Sequence, residues 1–151
     1  MIKRSIAIVT GGAGFIGSHM VDLLLDQDFE VRVIDNLSGG HERNLVHHSS
    51  NTALSLEKQN ICKLDPGHSA FKDAKYVFHF AGIGDIVPSI EQPLAYMQTN
   101  VQGTVRVLEA SRNSGIQKFV YAASSSCYGL ADTPTKEDHP IEPMYPYALS
   151  K

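Results

Sequence analysis

Three residue types in the C-terminal part of the chain are suited to moving a proton. Tyr147 and Lys151 stand four apart in Y-A-L-S-K, so on a helix the phenol and the ammonium share one face. A cation beside a phenol favours the phenolate and makes it a general base near neutral pH. Ser124 follows the apolar run K-F-V-Y-A-A at residues 118–123. A hydroxyl at the C-terminal end of a parallel strand stands where such sheets bind ligands, and it could hold a substrate hydroxyl or carbonyl. Taken singly, each group has a bland reading. Ser124 with Ser125 and Ser126 makes an ordinary polar loop, and a Tyr–Lys pair at this spacing arises readily by chance.

A second group of residues fits phosphate. Residues 10–17 read T-G-G-A-G-F-I-G, in which Gly12, Gly14 and Gly17 satisfy G-x-G-x-x-G and Gly11, Gly14 and Gly17 are evenly spaced. A chain that turns sharply from strand to helix, lets a pyrophosphate touch its backbone and packs helix on strand has no room for side chains at those points. The helix start then offers free N–H groups and a positive dipole end. Glycines alone can mark an empty turn, but here Asp35 ends the next apolar run roughly 20 residues on. Its carboxylate suits the adenosine ribose hydroxyls and repels a 2′-phosphate. Asn36 follows it rather than a basic residue, which favours NAD over NADP; Arg43 is the one nearby cation that argues the other way.

The elements that must position these groups alternate. Residues 5–10 (S-I-A-I-V-T) read as a buried strand and 15–27 as a helix with Ile16, Met20, Leu23 and Leu24 on one face. Strands are expected at 30–35, 53–61, 76–81 and 118–123, and a short helix near 69–72. Residues 36–51 are polar and read as a loop, with a short helix as the alternative. Pro88 and Pro93 bracket the entry to a long helix that ends by Gly115; its stripe Leu94, Met97, Val101, Val105 and Leu108 reads as a core face. A proline-rich loop follows, and Tyr147 opens a further helix. Alternating β and α elements predict a Rossmann-type, doubly wound α/β fold: a parallel sheet with helices on both faces.

Composition agrees with a folded domain. The chain has 151 residues, 42% hydrophobic and 19% charged, which excludes intrinsic disorder. A net charge of −3 with no basic run argues against nucleic acid. No apolar run is long enough for a membrane span, and the start, Met1-Ile2-Lys3-Arg4, has no signal-peptide pattern. Cys62 and Cys127 are too few for a disulfide scaffold and read as buried thiols in a reducing, cytoplasmic setting. The seven histidines, including the adjacent His47 and His48, are expected at surface or packing positions rather than as a metal set.

The motifs T-G-G-A-G-F-I-G-S-H, I-D-N-L-S-G-G, H-F-A-G, N-V-Q-G-T, F-V-Y-A-A-S-S-S-C-Y-G and P-Y-A-L-S-K occur in that order from residue 5 to the last residue. Together they resemble the extended short-chain dehydrogenase/reductases, and within them the NAD-dependent nucleotide-sugar epimerases of the UDP-glucose 4-epimerase type. The resemblance implies that Gly11, Gly14, Phe15 and Ile16 line the pyrophosphate and that Asp35 and Asn36 hold the adenosine ribose. It places Phe80, Ala81 and Gly82 along the cofactor and Asn100 in the N-x-x-G-T helix. It makes Ser124, Tyr147 and Lys151 the catalytic trio, Lys151 also holding the nicotinamide ribose. Gln59-Asn60-Ile61 stands where the family usually has Gly-Asp-Ile, so the Asn60 side-chain oxygen would face adenine without charge. Gly84 stands where some epimerases carry a lysine near the cofactor.

Related sugar-nucleotide dehydratases usually carry an acid just before the V-Y-G or L-Y-G motif. Here Ser125, Ser126 and Cys127 fill that stretch. This favours epimerisation of a UDP-hexose or other nucleotide sugar at C4, through a 4-keto intermediate, over dehydration, decarboxylation or net reduction. A non-catalytic NAD-binding module is the rival from another class, but it gives no reason for the Ser–Tyr–Lys set. The family is longer, with its sugar-binding part C-terminal, so residues 1–151 are expected to be the NAD-binding part of a longer chain. The resemblance also implies that the long helix ending by Gly115 and the one opening at Tyr147 build a homodimer interface.

Overall fold

In a computed structural model, residues 4–151 are described; Met1, Ile2 and Lys3, most of the start read above as leaderless, lie outside the described residues. Ile6–Thr10 (β1), Glu30–Asp35 (β2), Leu54–Lys58 (β3), Ala74–His79 (β4) and Lys118–Tyr121 (β5) form one sheet in the order β3-β2-β1-β4-β5. Every pairing is parallel. β1 lies at the centre and all five of its residues are buried, as a β-branched run flanked by strands on both sides requires.

The side-chain alternation of β1 feeds two cores. Ile6 and Ile8 face one side, with Ile34, Ile61, Leu64, Phe71, Val77 and Val107. Ala7 and Val9 face the other, with Val21, Leu24, Val31, Val33 and Leu45. Helix α1 (Phe15–Asp26) and a 3₁₀ turn at Glu42–His48 cover the second face. Shorter 3₁₀ turns at Ile61–Lys63 and Ser69–Phe71 help cover the first. The expected doubly wound α/β architecture is therefore present.

The expected long helix is present, continuous from residue 93 to 113 with a π-helical stretch inside it and a short helix before it. In chain order the segments are α2 (Val87–Glu91), α3 (Pro93–Tyr96), the π-helical segment at Met97–Gly103 and α4 (Thr104–Asn113). Its apolar stripe is not a core face: Leu94, Val101, Val105 and Leu108 are 69%, 42%, 52% and 44% exposed. The buried face carries Tyr96, Asn100, Gly103, Val107, Ala110 and Ser111 instead. A Cβ on Gly103 would lie 2.6 Å from Ile61 Cδ1, so at this point the helix packs directly on the Ile61–Lys63 turn. Cys62 and Cys127 are half-buried rather than buried, and both are free thiols. The last helix, α5, spans Pro146–Leu149. No helix among the described residues is long and apolar enough to cross a membrane.

Candidate active site

From β1 the chain goes first to β2 and β3 on one side and then to β4 and β5 on the other. The C-terminal ends of β1 and β4 thus flank a crevice at the point where strand order reverses, the place where such sheets bind ligands. Two cavities meet there. One, of about 210 Å³, is walled at one end by Asp35, Asn36, Asn60 and Ile61. The other, of about 360 Å³, is walled by Phe15, Ile16, Tyr147 and Lys151. Gly11, Gly14, Phe80, Gly82 and Ile83 line both, so the two are one groove.

The glycine turn is built for close approach. Gly11 has φ +69°, and a Cβ there would lie 2.6 Å from the Ala81 backbone nitrogen. A Cβ on Gly17 would run into the Gly11 carbonyl, so α1 packs directly on the turn. Gly14 caps α1 with no side-chain hydrogen bond, and the first helical turn has no acid. The amides at this helix start and its positive dipole end are therefore free for an anion. Phe15 and Ile16 stand beside them, 79% and 63% exposed.

Asp35 is buried and fixed by two backbone donors. Its Oδ2 accepts from Ala13 N–H at 2.9 Å and its Oδ1 from Leu37 N–H at 2.8 Å. The same carboxylate therefore ties the second strand to the glycine turn while lining the groove. Asn36 Oδ1 accepts from the amide and the hydroxyl of Ser38, shaping the loop that follows. Asn60 lines the groove, but its Oδ1 also accepts from Cys62 N–H at 2.9 Å and so caps the next turn. Phe80 and Ala81 were expected to continue the fourth strand; they leave the sheet and turn into the groove wall. Asn100 lies behind that wall, buried. It accepts from Ile83 N–H at 2.8 Å, donates to Ile83 C=O at 2.9 Å and donates to the Ser150 hydroxyl at 2.9 Å. It holds residues 82–83 and α5 in register, so its role in the site is positional.

At the other end, the Tyr147 ring stands edge-on to Tyr96 at 6.3 Å. Lys151 shares the cavity with Tyr147, but it lies past the end of α5 rather than within the helix. Its Nζ sits 4.7 Å from the centroid of the Tyr121 ring, and burial holds its ammonium below the usual lysine range. Ser124 lies next to Ala122 and Ala123, which line this cavity, but lines neither cavity itself. Its Oγ accepts from Ser126 N–H at 3.2 Å and caps a 3₁₀ turn at Ser125–Tyr128.

The sequence reading did not single out His79, Thr10 or Thr104, which form a buried chain beneath the groove. Nor did it single out Gly40, whose Cβ would lie 2.9 Å from Asp35 Oδ2. The paired glycines 39–40 directly after the Asp35 loop were the one available signal for the latter.

A model of the NAD dependent epimerase/dehydratase family matches residues 7–151. The chain belongs to that family. It is 38% identical over 147 residues to the UDP-glucose 4-epimerase of Mycolicibacterium smegmatis, covering 95% of this chain and 47% of that one. Among solved structures it is similar to the UDP-N-acetylglucosamine 4-epimerase of Methanobrevibacter ruminantium in complex with UDP-N-acetylmuramic acid. That match has a TM-score of 0.91 and 37% identity, over 99% of this chain and 47% of that one. It is also similar to the dTDP-glucose 4,6-dehydratase DesIV of Streptomyces venezuelae with NAD bound, at TM-score 0.89 and 33% identity, over 97% and 48%. The chain spans about half the length of the curated relatives it matches. An epimerase and a dehydratase thus both share this fold.

Proposed function

We propose that residues 1–151 form the NAD-binding part of an enzyme that epimerises a nucleotide sugar, of the UDP-hexose class, at C4. The observation that carries this reading is the single groove with Asp35 at one end, bare glycine backbone and a free helix start in the middle, and Tyr147 with Lys151 at the other. Its chemistry fits an extended dinucleotide: ribose hydroxyls on the carboxylate, diphosphate on the amides, nicotinamide by the phenol.

Bound NAD supplies a hydride acceptor that can later return the hydride. In this reading Tyr147 takes the proton of the sugar 4-hydroxyl as C4 is oxidised to the ketone, and gives it back when the other face of C4 is reduced. Lys151, in the same cavity as Tyr147, holds the nicotinamide ribose, and Ser124 holds the reacting oxygen once its hydroxyl turns from Ser126 N–H. Asp35 and Asn36 hold the adenosine ribose, and Phe80, Ala81 and Gly82 wall the cofactor. No carboxylate stands between Ser124 and Tyr128 to drive water elimination, which favours epimerisation over dehydration.

The exposed stripe Leu94, Val101, Val105 and Leu108, with Leu149 on α5, supports a homodimer formed through these helices. A cytoplasmic setting belongs to the same reading, and the two free thiols accord with a reducing compartment.

The test is the full-length protein with UDP-galactose or UDP-glucose, followed by NMR of the anomeric protons. Interconversion of the two sugars, with NAD retained, is expected. NAD bound with no change in any UDP-hexose would leave a nucleotide-binding module, and no affinity for a pyridine nucleotide would remove the reading altogether.

A further inference from the structure

Away from the groove, α1 and the 3₁₀ turn at Glu42–His48 bring together groups that are far apart in sequence. Asp22 Oδ1 lies 2.8 Å from His47 Nε2 and 2.7 Å from His48 Nε2. The two imidazole centroids are 4.2 Å apart. All three ligand-type atoms lie within 4.8 Å of one another. The other Asp22 oxygen is 3.7 Å from His19 Nδ1, one helical turn back.

This convergence is more than a turn contact needs. Successive residues of a 3₁₀ turn project about 120° apart, because the turn holds three residues. One histidine would suffice to latch the turn to Asp22. Here both rings are rotated so that the same nitrogen of each aims at one carboxylate oxygen. Imidazole nitrogen and carboxylate oxygen are the donor set of zinc and its neighbours, whereas magnesium and calcium prefer oxygen alone.

We propose that Asp22, His47 and His48 form a binding site for a late first-row divalent cation such as Zn²⁺ or Ni²⁺, with water completing its coordination. Ligand atoms of a tetrahedral Zn²⁺ site, at the usual bond lengths, are roughly 3.3–3.5 Å apart. The three atoms present need only side-chain adjustments on the order of an ångström to reach that spacing. The His47 side chain is 53% exposed, which leaves a path for the ion and a position for water. On binding, the ion replaces hydrogen at the two Nε2 atoms, and each neutral ring carries its single proton on Nδ1, the tautomer that leaves Nε2 free as a ligand. Bound there, the ion ties the Glu42–His48 turn to α1. That turn also anchors to the glycine loop, through His41 N–H and Asn44 Nδ2, which both donate to the Ala13 carbonyl. The site lies outside the cofactor groove and does not depend on the reaction assigned to it.

The experiment uses the full-length protein stripped with EDTA and titrated with ZnCl₂, NiCl₂ and MgCl₂. Calorimetry gives stoichiometry, and thermal unfolding is recorded with and without metal. Long-range ¹H–¹⁵N spectra report the His47 and His48 ring nitrogens. One Zn²⁺ per chain, a raised melting temperature and shifted Nε2 signals of both histidines are expected. His47→Ala and His48→Ala should each weaken binding at least about tenfold and abolish the metal-dependent rise in melting temperature. His47 is exposed, so its variant is the one that keeps the test clean if His48→Ala unfolds. Nε2 signals that do not respond to metal, or Zn²⁺ binding unchanged in His47→Ala, would overturn the proposal and leave the cluster as a hydrogen-bonded latch.

Discussion

His79 Nδ1 lies 2.5 Å from the Thr10 hydroxyl, and the direction of that bond can be assigned from its neighbours. Thr104 Oγ1 is 2.5 Å from the Asn100 carbonyl, which can only accept, so the Thr104 hydroxyl donates there. It must then accept from His79 Nε2–H, at 2.9 Å. Nδ1 is left as the acceptor for the Thr10 hydroxyl, which itself accepts from Ala81 N–H at 3.3 Å. One neutral tautomer thus links the groove wall at Ala81, the end of β1 and the helix that carries Asn100. The Tyr121 ring stacks on His79 at 5.8 Å and carries the Lys151 ammonium.

A stability loss in mild acid follows. Burial, and then the charge of Lys151, lower the His79 pKa from 6.5 to about 4. As pH falls below 6.5 the unfolded chain takes up a proton that the folded protein refuses until about 4. The contribution is complete above the first value and is lost as pH falls to the second, about 3 kcal/mol in all. Urea unfolding across that window should show it, and His79→Gln should remove most of the slope. An unaltered slope in the variant would assign the proton uptake to other groups.

Gly11 and Gly39 both line the groove, yet they should respond oppositely to alanine. Gly11 combines φ +69° with backbone atoms at 2.6 Å from a would-be Cβ, while a Cβ on Gly39 meets nothing within 4 Å. Gly11→Ala is expected to destabilise the fold by about 2 kcal/mol or more and to weaken nucleotide binding. Gly39→Ala should stay within about 0.5 kcal/mol of the parent. Thermal unfolding of the two variants decides it, and equal stabilities would contradict the strained turn.

The contrast between these glycines marks what was legible in the sequence. The β1–glycine turn–α1–β2 unit and Asp35 obey local rules, since strand burial, a turn needing bare backbone and an acid at a strand end all act within a few residues. The apolar stripe from Leu94 to Leu108 was read correctly as one face and wrongly as the inner one. Periodicity states which residues point together, not which side is covered, and here Val107 and Ala110 enter the core while Gly103 packs on Ile61. The π-helical segment further shifts the phase of the helix between Leu94 and Val105. His79 read simply as a strand residue, because both its hydroxyl partners come from elsewhere in the chain. Lys151 was expected on the helix with Tyr147, and its cation–π seat on Tyr121 depends on a strand that sequence spacing does not bring to mind.

Tyr147→Phe isolates the hydroxyl. The ring keeps its edge-on packing against Tyr96, so the groove should hold its shape and bind NAD as before. Turnover of the full-length enzyme should fall by about 10²–10⁴-fold, the range for loss of a general acid–base group. Nucleotide titration alongside NMR turnover separates the two effects, and undiminished turnover would take Tyr147 out of the mechanism.

The outward stripe makes a separate prediction. Val101 and Val105 are 42% and 52% exposed, so lysine at either position removes little from the core of one chain. If this face joins two chains, Val101→Lys with Val105→Lys should convert the full-length protein from dimer to monomer in sedimentation, with the domain still folded by circular dichroism. A dimer that persists would place the interface elsewhere.

Gly84 offers a gain rather than a loss. It lines the groove beside Tyr147 and Lys151, and a Cβ there meets nothing within 4 Å, so a side chain fits without moving the backbone. The carbonyl of Gly84 accepts from the Tyr96 hydroxyl at 2.7 Å, a contact that any residue type preserves. A lysine at this position could carry its ammonium toward the groove, where a bound diphosphate would be the largest negative charge. Gly84→Lys is expected to tighten NAD binding roughly three- to tenfold at low salt, with the gain shrinking as ionic strength rises. Calorimetric titration at two salt concentrations separates a charge effect from a packing effect. An affinity equal to the parent at low salt would mean that the diphosphate does not pass within reach of residue 84.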